Sequence, residues 1–278
     1  MTLNSVLKKL MVICLLTILL WQSQTFGFAV SSNQVDVGII YGNNNQFPIG
    51  VTSENGFVFG IGFQEGFTTI LDLSAYQNLV FFKDGYYDKT GTILDETKAE
   101  YYTKGQVMGA YHVQIGAVFG SYDEILEHYL KVVSTVNSAY LVYDDGWRVF
   151  SGNYVSETEA KIHLTEISPN YASNELQLVP PNSNRIIVKA GEVILFSYDS
   201  SEGDLNFKAA VFEVNGIKYR NTFRVTRKIG SDFTFVNRVT MNEYLYGVVP
   251  KEMGVGWPKE AIKAQAIASK NYVLTSST

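Results

Sequence analysis

After an apolar N-terminal block, alternating hydrophobic and polar positions run through the first third of the chain. Val35 to Tyr41, Ile49 to Thr52 and Phe57 to Phe63 read as strands, broken by a turn at Asn43-Asn44-Asn45 and by Asn55-Gly56. Gly60-x-Gly62-x-x-x-Gly66 departs from a dinucleotide-binding fingerprint in its last spacing and opens no helix, so it reads as strand and turn glycines. Asp84 to Lys104 is polar, dotted with tyrosine and punctuated by glycine, the pattern of a linker.

The grammar changes at Tyr111. A strand, Tyr111 to Phe119, leads to Ser121 and Glu124, a capping box, and to a helix with Tyr122, Ile125, Leu126, Tyr129, Leu130 and Val133 on one apolar face. Ala139 to Tyr143, the turn Asp144-Asp145-Gly146, and Trp147 to Ser151 form a hairpin. Ser156 with Glu159 caps a second helix reaching about Ile167, and Leu176 to Val179 closes the unit. Strand, helix, strand, strand, helix, strand is the split-βαβ (ferredoxin-like) order, four antiparallel strands with two helices on one face.

From Arg185 the alternation returns through Ile186 to Val188, Val193 to Tyr198 and Leu205 to Val211, with Asn215-Gly216 a type I′ hairpin signal. Phe223 and Val225, then Phe233, Phe235 and Val239, continue it. Thr240 and Glu243 cap a short helix, Met241 to Tyr246, expected to stop at Gly247. Pro258 sits where a first helical turn accepts proline, and Lys259 to about Leu274 is an alanine-rich helix with Ile262, Ala266, Ile267 and Lys270 at helical spacing. The expected fold class is α+β. Residues 1–29 form a signal peptide, 30–105 a small β unit and linker, 107–180 the split-βαβ domain, and 185–278 a β-rich domain ending in helices.

The signal-peptide reading rests on Lys8-Lys9, an apolar run from Leu10 to Trp21, and the small-x-small site Gly27-Phe28-Ala29. It predicts export to the cell envelope or beyond, with membrane attachment only through that segment if it stays uncleaved. Cys14, the single cysteine, lies inside it, which leaves the remainder no disulfide, no thiol nucleophile and no Cys-ligated zinc. The balance of charge narrows the partners. Without Lys8 and Lys9, 20 basic residues face 27 acidic ones, a net of −7, and no dense basic run exists for nucleic acid. Aromatic residues make up 14% of the chain against 18% charged, which excludes disorder and suits flat, stacking surfaces.

Candidate chemistry is sparse. His112, His128 and His163 have no metal-ligand spacing and read as surface or half-buried imidazoles; no metal and no cofactor is expected. One carboxylate stands out. Glu252 sits between Lys251 and Met253 in a segment read as a loop joining two helices, flanked by Gly247, Gly254 and Gly256. Val249, Met253 and Trp257 are near enough in sequence to desolvate it, as an acid catalyst requires.

Two resemblances extend this reading. Tyr111-x-Val113-Gln114-Ile115-Gly116-Ala117, followed by Trp147-Arg148-Val149-x-x-Gly152-x-Tyr154-x-Ser156-x-x-x-Ala160, resembles the SPOR domain over about 65 residues. That resemblance implies binding of bare peptidoglycan glycan strands on an open sheet face, with Gln114, Trp147 and Arg148 as contacts. Asn237-x-Val239-x-x-x-x-Tyr244-Leu245-Tyr246-Gly247-Val248-Val249-Pro250-Lys251-Glu252-Met253, then Trp257-Pro258-x-Glu260-Ala261-x-Lys263-Ala264-Gln265-Ala266, is similar to the stage II sporulation protein D / amidase-enhancer family. It implies a lytic transglycosylase of peptidoglycan with Glu252 as catalytic acid and base. It equally implies the alternative, a non-catalytic peptidoglycan-binding protein that enhances a cell-wall amidase. The family's domain continues past its long helix, whereas this chain stops at Thr278, so the domain is expected to be incomplete at its C-terminus.

Overall fold

A computed structural model describes residues 34–41, 48–62, 66–88, 92–95, 98, 107–201, 203–227, 233–254 and 256–276. The expected signal segment, the Asn43-Asn44-Asn45 turn and most of the 84–104 run's second half lie outside them. The protein is a strand-rich α+β structure of two compact units, Asp36–Val239 and a second that includes the helices from Thr240 onward. No helix among the described residues is long and apolar enough to cross a membrane.

The first unit is built on one extended sheet. Its first five strands are β1 (Gln34–Ile40), β2 (Ile49–Thr52), β3 (Phe57–Ile61), β4 (Thr68–Leu73) and β5 (Asn78–Lys83). Then come β8 (Tyr111–Ile115), β9 (Ala139–Tyr143), β10 (Trp147–Tyr154) and β11 (Leu176–Val179). The last are β12 (Arg185–Ala190), β13 (Val193–Asp199), β14 (Leu205–Val214), β15 (Ile217–Arg227) and β16 (Phe233–Thr240). The order is β1-β16-β15-β14-β2-β5-β12-β13-β9-β10-β8-β11, with β3 joining β14 to β4. A separate ribbon pairs β6 (Tyr87–Asp88) with β7 (Val107–Met108), so the run read as linker carries structure of its own, and Tyr86 and Tyr87 are buried.

Within this sheet β9, β10, β8 and β11 lie side by side and every adjacent pair is antiparallel. Helix α1 (Tyr122–Val133) connects β8 to β9, and α2 (Glu157–Ile167) connects β10 to β11. Both start where their caps place them: Ser121 Oγ accepts from Glu124 N at 3.3 Å and Ser156 Oγ from Glu159 N at 3.2 Å. Ile125 and Val132 are the buried residues of α1, whereas Leu130 is exposed, so the inward stripe is narrower than the sequence pattern suggested. The hairpin turns hold as expected. Asn215 and Gly216 both have positive φ, which type I′ requires and which Gly, and less readily Asn and Asp, adopt at little cost.

Hydrogen bonds cross both boundaries marked at the sequence level. β12 pairs with β5, and β13 pairs in parallel with β9, tying the 30–105, 107–180 and 185–239 stretches into one sheet. β14 is the hinge of the arrangement: Asn206–Lys208 pairs with β3, and Glu213–Val214 pairs with β2, on either side of a bulge between Ala209 and Phe212. An extra unpaired residue bends a strand and lets its two halves face different neighbours. Along this stretch the core is aromatic. Phe81 stacks on Phe207 at 5.4 Å, Phe212 meets Phe223 edge-on at 4.5 Å, and Phe196 reaches Trp147 at 5.9 Å, so packing continues into the α1–α2 region.

The second unit is a helical hairpin. α3 (Met241–Glu252) opens with a complete capping box, Thr240 N donating to Glu243 Oε2 at 2.8 Å and Glu243 N to Thr240 Oγ1 at 3.3 Å. It does not stop at Gly247. The helix runs through Gly247 and Pro250 to Glu252: the carbonyl that proline leaves without a donor belongs to Tyr246, and both Tyr246 and Pro250 are exposed, so water can donate to it. α4 (Lys259–Ser276) follows, its first turn closed by Ile262 N donating to Pro258 O.

Candidate functional site

The extension of α3 moves Glu252 from an expected loop to the last residue of a helix, its side chain exposed. α4 presents Gln265, Ser269 and Tyr272 at the i, i+4, i+7 spacing of one face. Gln265 Nε2 donates to Glu252 Oε2 at 2.6 Å, and Ser269 Oγ donates to the same oxygen at 3.0 Å. Ser269 is 6% exposed, the one buried residue of an otherwise open helix. Ile267, at helical spacing with Ile262 and Ala266, is exposed, and hydrogen bonds from Gln265 and Ser269 join this helix to α3. Partial burial holds the Tyr244 phenol above its usual value, and the charges of Glu252 and Tyr272 add to it. Glu243 and Glu260 are occupied otherwise, in the Thr240 cap and against Lys263 at 2.9 Å. The arrangement therefore offers an accessible carboxyl with Oε2 held by two uncharged donors and Oε1 without a hydrogen-bond partner among the described residues. Such a group can give a proton and take one back.

The other three residues divide between two faces. Gln114 on β8 and Arg148 on β10 point to the same side, and Arg148 Nη1 donates to Gln114 Oε1 at 3.3 Å. Arg148 Nε also donates to the carbonyl of Asp144 at 3.2 Å. With Gln177 and Asn182 they line a cleft of about 460 Å³. The rest of that face is filled: Tyr140, Val142 and Phe150 are buried, and the Arg185 guanidinium covers the Phe150 ring at 5.2 Å. Trp147 is elsewhere. Successive strand residues alternate sides, and Trp147 turns into the helix-covered core against Tyr122, Tyr143 and Phe196, 3% exposed.

A buried ionic cluster was not read from the sequence at all. Asp84 is fully buried, with His112 Nε2 at 3.1 and 3.2 Å from its two oxygens and Arg185 Nη1 at 2.5 Å. Burial works against the Asp84 charge, yet His112 and Arg185 outweigh it and hold the carboxyl below its ordinary value. His112 Nδ1 lies 2.8 Å from Gly152 O and 2.9 Å from the Tyr140 hydroxyl. Arg227 donates to the carbonyls of Asp84 and Arg185. His112 is thus neither at the surface nor half-buried but part of the core; the polar run around Asp84 concealed its partner. His128 does fit the half-buried expectation, its Nε2 2.9 Å from Ile115 O. Among the described residues no group of three His, Cys, Asp or Glu side chains is arranged to hold a metal ion.

Gln265 and Ser269 escaped the sequence reading because their role depends on a contact, although Gln265 lies inside the motif around Glu252. Their i, i+4 spacing among alanines was the available signal: two polar side chains on a helix whose neighbours are too small to hide them.

Comparison with known proteins bears on this last segment. Over 122 residues the chain is 32% identical to an uncharacterized protein of Brachyspira hyodysenteriae, covering 44% of this chain and 29% of that relative's length. No solved structure matches. Residues 230–278, which carry Glu252, Gln265 and Ser269, match the family described as stage II sporulation protein, SpoIID.

Proposed function

We propose that this is an exported protein of sporulation-related cell-wall remodelling that binds denuded peptidoglycan strands and cleaves them as a lytic transglycosylase. The observation that carries the reading is Glu252: an accessible carboxyl, gripped on one oxygen by two uncharged donors, inside the segment that matches the sporulation family. One carboxyl suffices for this reaction. As an acid it gives its proton to the bridging glycosidic oxygen as the bond from the anomeric carbon breaks. As a carboxylate it takes the proton of the sugar's own 6-hydroxyl as that oxygen bonds to the anomeric carbon. No water is consumed, so the second carboxylate of a hydrolase has no task.

Glycan binding is supported by the antiparallel order of β9, β10, β8 and β11 with its two helices, and by the cleft beside Gln114 and Arg148. Amide and guanidinium groups there suit sugar hydroxyls, and the walls of Pro180 and Pro181 suit a pyranose face. Trp147, packed in the core, serves the fold of that region instead.

A specific feature favours the second reading, a non-catalytic enhancer of a cell-wall amidase. Tyr246, Trp257, Ile267, Tyr272 and Leu274 of the helical hairpin are all exposed, apolar side chains available to a protein partner. Incubation with amidase-treated sacculi separates the two. Anhydro-sugar products by mass spectrometry, lost by ~10²–10⁴-fold in Glu252→Gln, are expected of the enzyme. Absence of such products together with faster amidase turnover would establish the enhancer. Equal retention on treated and untreated sacculi would remove the preference for bare glycan.

A further inference from the structure

We infer that Gln265 and Ser269 are positioning residues that fix the Glu252 carboxyl and assign its other oxygen, Oε1, to the reacting bond. The inference rests on Glu252 being the acid and base proposed above. Both donors converge on Oε2, at 2.6 and 3.0 Å, and Gln265 Nε2 also lies 3.4 Å from Ser269 Oγ, closing a three-membered cluster. Ser269 is buried on a helix that buries nothing else, and the cluster is where its hydroxyl is used. A buried hydroxyl without such a bond would destabilise the hairpin, so the cluster explains why a serine is placed there.

The chemistry follows from which oxygen is saturated. When Glu252 is protonated on Oε1, Oε2 is the carbonyl oxygen and accepts both bonds. When Oε1 has given up its proton, Oε2 carries part of the negative charge and accepts the same two bonds, now charge-assisted. The clamp therefore survives both proton transfers without rearrangement, while rotation about the last side-chain torsion, which would swap the two oxygens, is blocked. A terminal carboxyl torsion is otherwise broad and two-fold, and an exposed glutamate at a helix end has no other restraint. The proton of Oε1 leaves to the glycosidic oxygen and returns from the 6-hydroxyl, and Gln265 and Ser269 exchange none.

Kinetics of anhydro-product release by the full chain test this. Ser269→Ala and Gln265→Met are expected to lower kcat by ~10–100-fold with KM within about twofold, because the carboxyl is misplaced while the glycan still binds. Ser269→Thr, which keeps the hydroxyl, is expected to recover most of the loss, and the thermal midpoints of all three are expected to stay near that of the unaltered chain. If kcat in Ser269→Ala and Gln265→Met stays within twofold, or Ser269→Thr is no better than Ser269→Ala, the positioning role is overturned while the assignment of Glu252 stands. If the unaltered chain releases no anhydro products, the reading beneath it falls, and the inference with it.

Discussion

Asp84 and Glu252 are both carboxylates gripped by side-chain donors, and they lie in regions of opposite character. Asp84 sits fully inside the sheet unit, contacted on both oxygens by His112 and Arg185, with Tyr140 and Arg227 closing the shell. Glu252 ends a helix in a hairpin that buries little and has one oxygen open. A carboxylate closed on every side holds segments together; it has nothing left to offer a ligand. One held from a single side keeps a fixed direction and remains reachable. Full burial with every side contacted fits Asp84 to a structural role, and the open oxygen of Glu252 is what the proposed chemistry requires.

The sharpest way to break this contrast is to remove each carboxylate and read both stability and activity. Glu252→Gln is expected to cost at least ~10²-fold in product release while leaving the unfolding midpoint unchanged. Asp84→Ala is expected to do the reverse in kind, destabilising by about 3–5 kcal/mol because His112, Arg185 and Arg227 are left around a vacated buried charge. A stable Asp84→Ala chain in denaturant titration would contradict the structural role. Aromatic truncations test the same division in the apolar parts. Phe207→Ala, deep among Phe59, Phe81, Phe212 and Phe223, should cost about 3–5 kcal/mol, whereas Trp257→Ala, 56% exposed on the hairpin, should stay within about 0.5 kcal/mol. Comparable losses from the two would mean the hairpin is packed more tightly than its exposure implies.

The smallest effect is a pH slope. Burial, with Arg227 nearby, lowers Lys83 from 10.5 to about 8. Between those values the folded chain has already shed this proton and the unfolded chain has not, so unfolding takes up a proton and stability rises with pH across that window. Lys83→Met, which carries no charge to bury, is expected to be more stable near neutral pH and to flatten the rise. A slope unchanged in that variant would assign it to another group.

Local chemistry was legible where it depends on neighbours in sequence. Ser121, Ser156 and Thr240 start helices through bonds three residues long, and Asn215-Gly216 closes its hairpin because those two residues adopt positive φ at little cost. The same locality misled at Gly247. A glycine weakens a helix by only about 1 kcal/mol, which the packing of Val249 and the Thr240 cap outweigh. The Asp84 run was taken for linker since its polarity is real, and what neutralises it lies 28 residues on at His112 and 101 residues on at Arg185.

By itself the sequence determined many of the strands and helices, though not β4 to β7, the caps at Ser121, Ser156 and Thr240, the Asn215-Gly216 turn, and the singling out of Glu252 within the segment that matches the sporulation family. Those outcomes follow from propensity, capping bonds and backbone sterics acting within a few residues. Only the tertiary structure decided that β12 joins β5 and β13 joins β9, that Trp147 faces the core while Arg148 faces a cleft, and that Gln265 and Ser269 meet Glu252 on one oxygen. Each of these depends on pairing register or on the approach of elements distant along the chain. A strand's two faces are equivalent until a neighbour covers one of them, and a glutamate's two oxygens are equivalent until a donor reaches one.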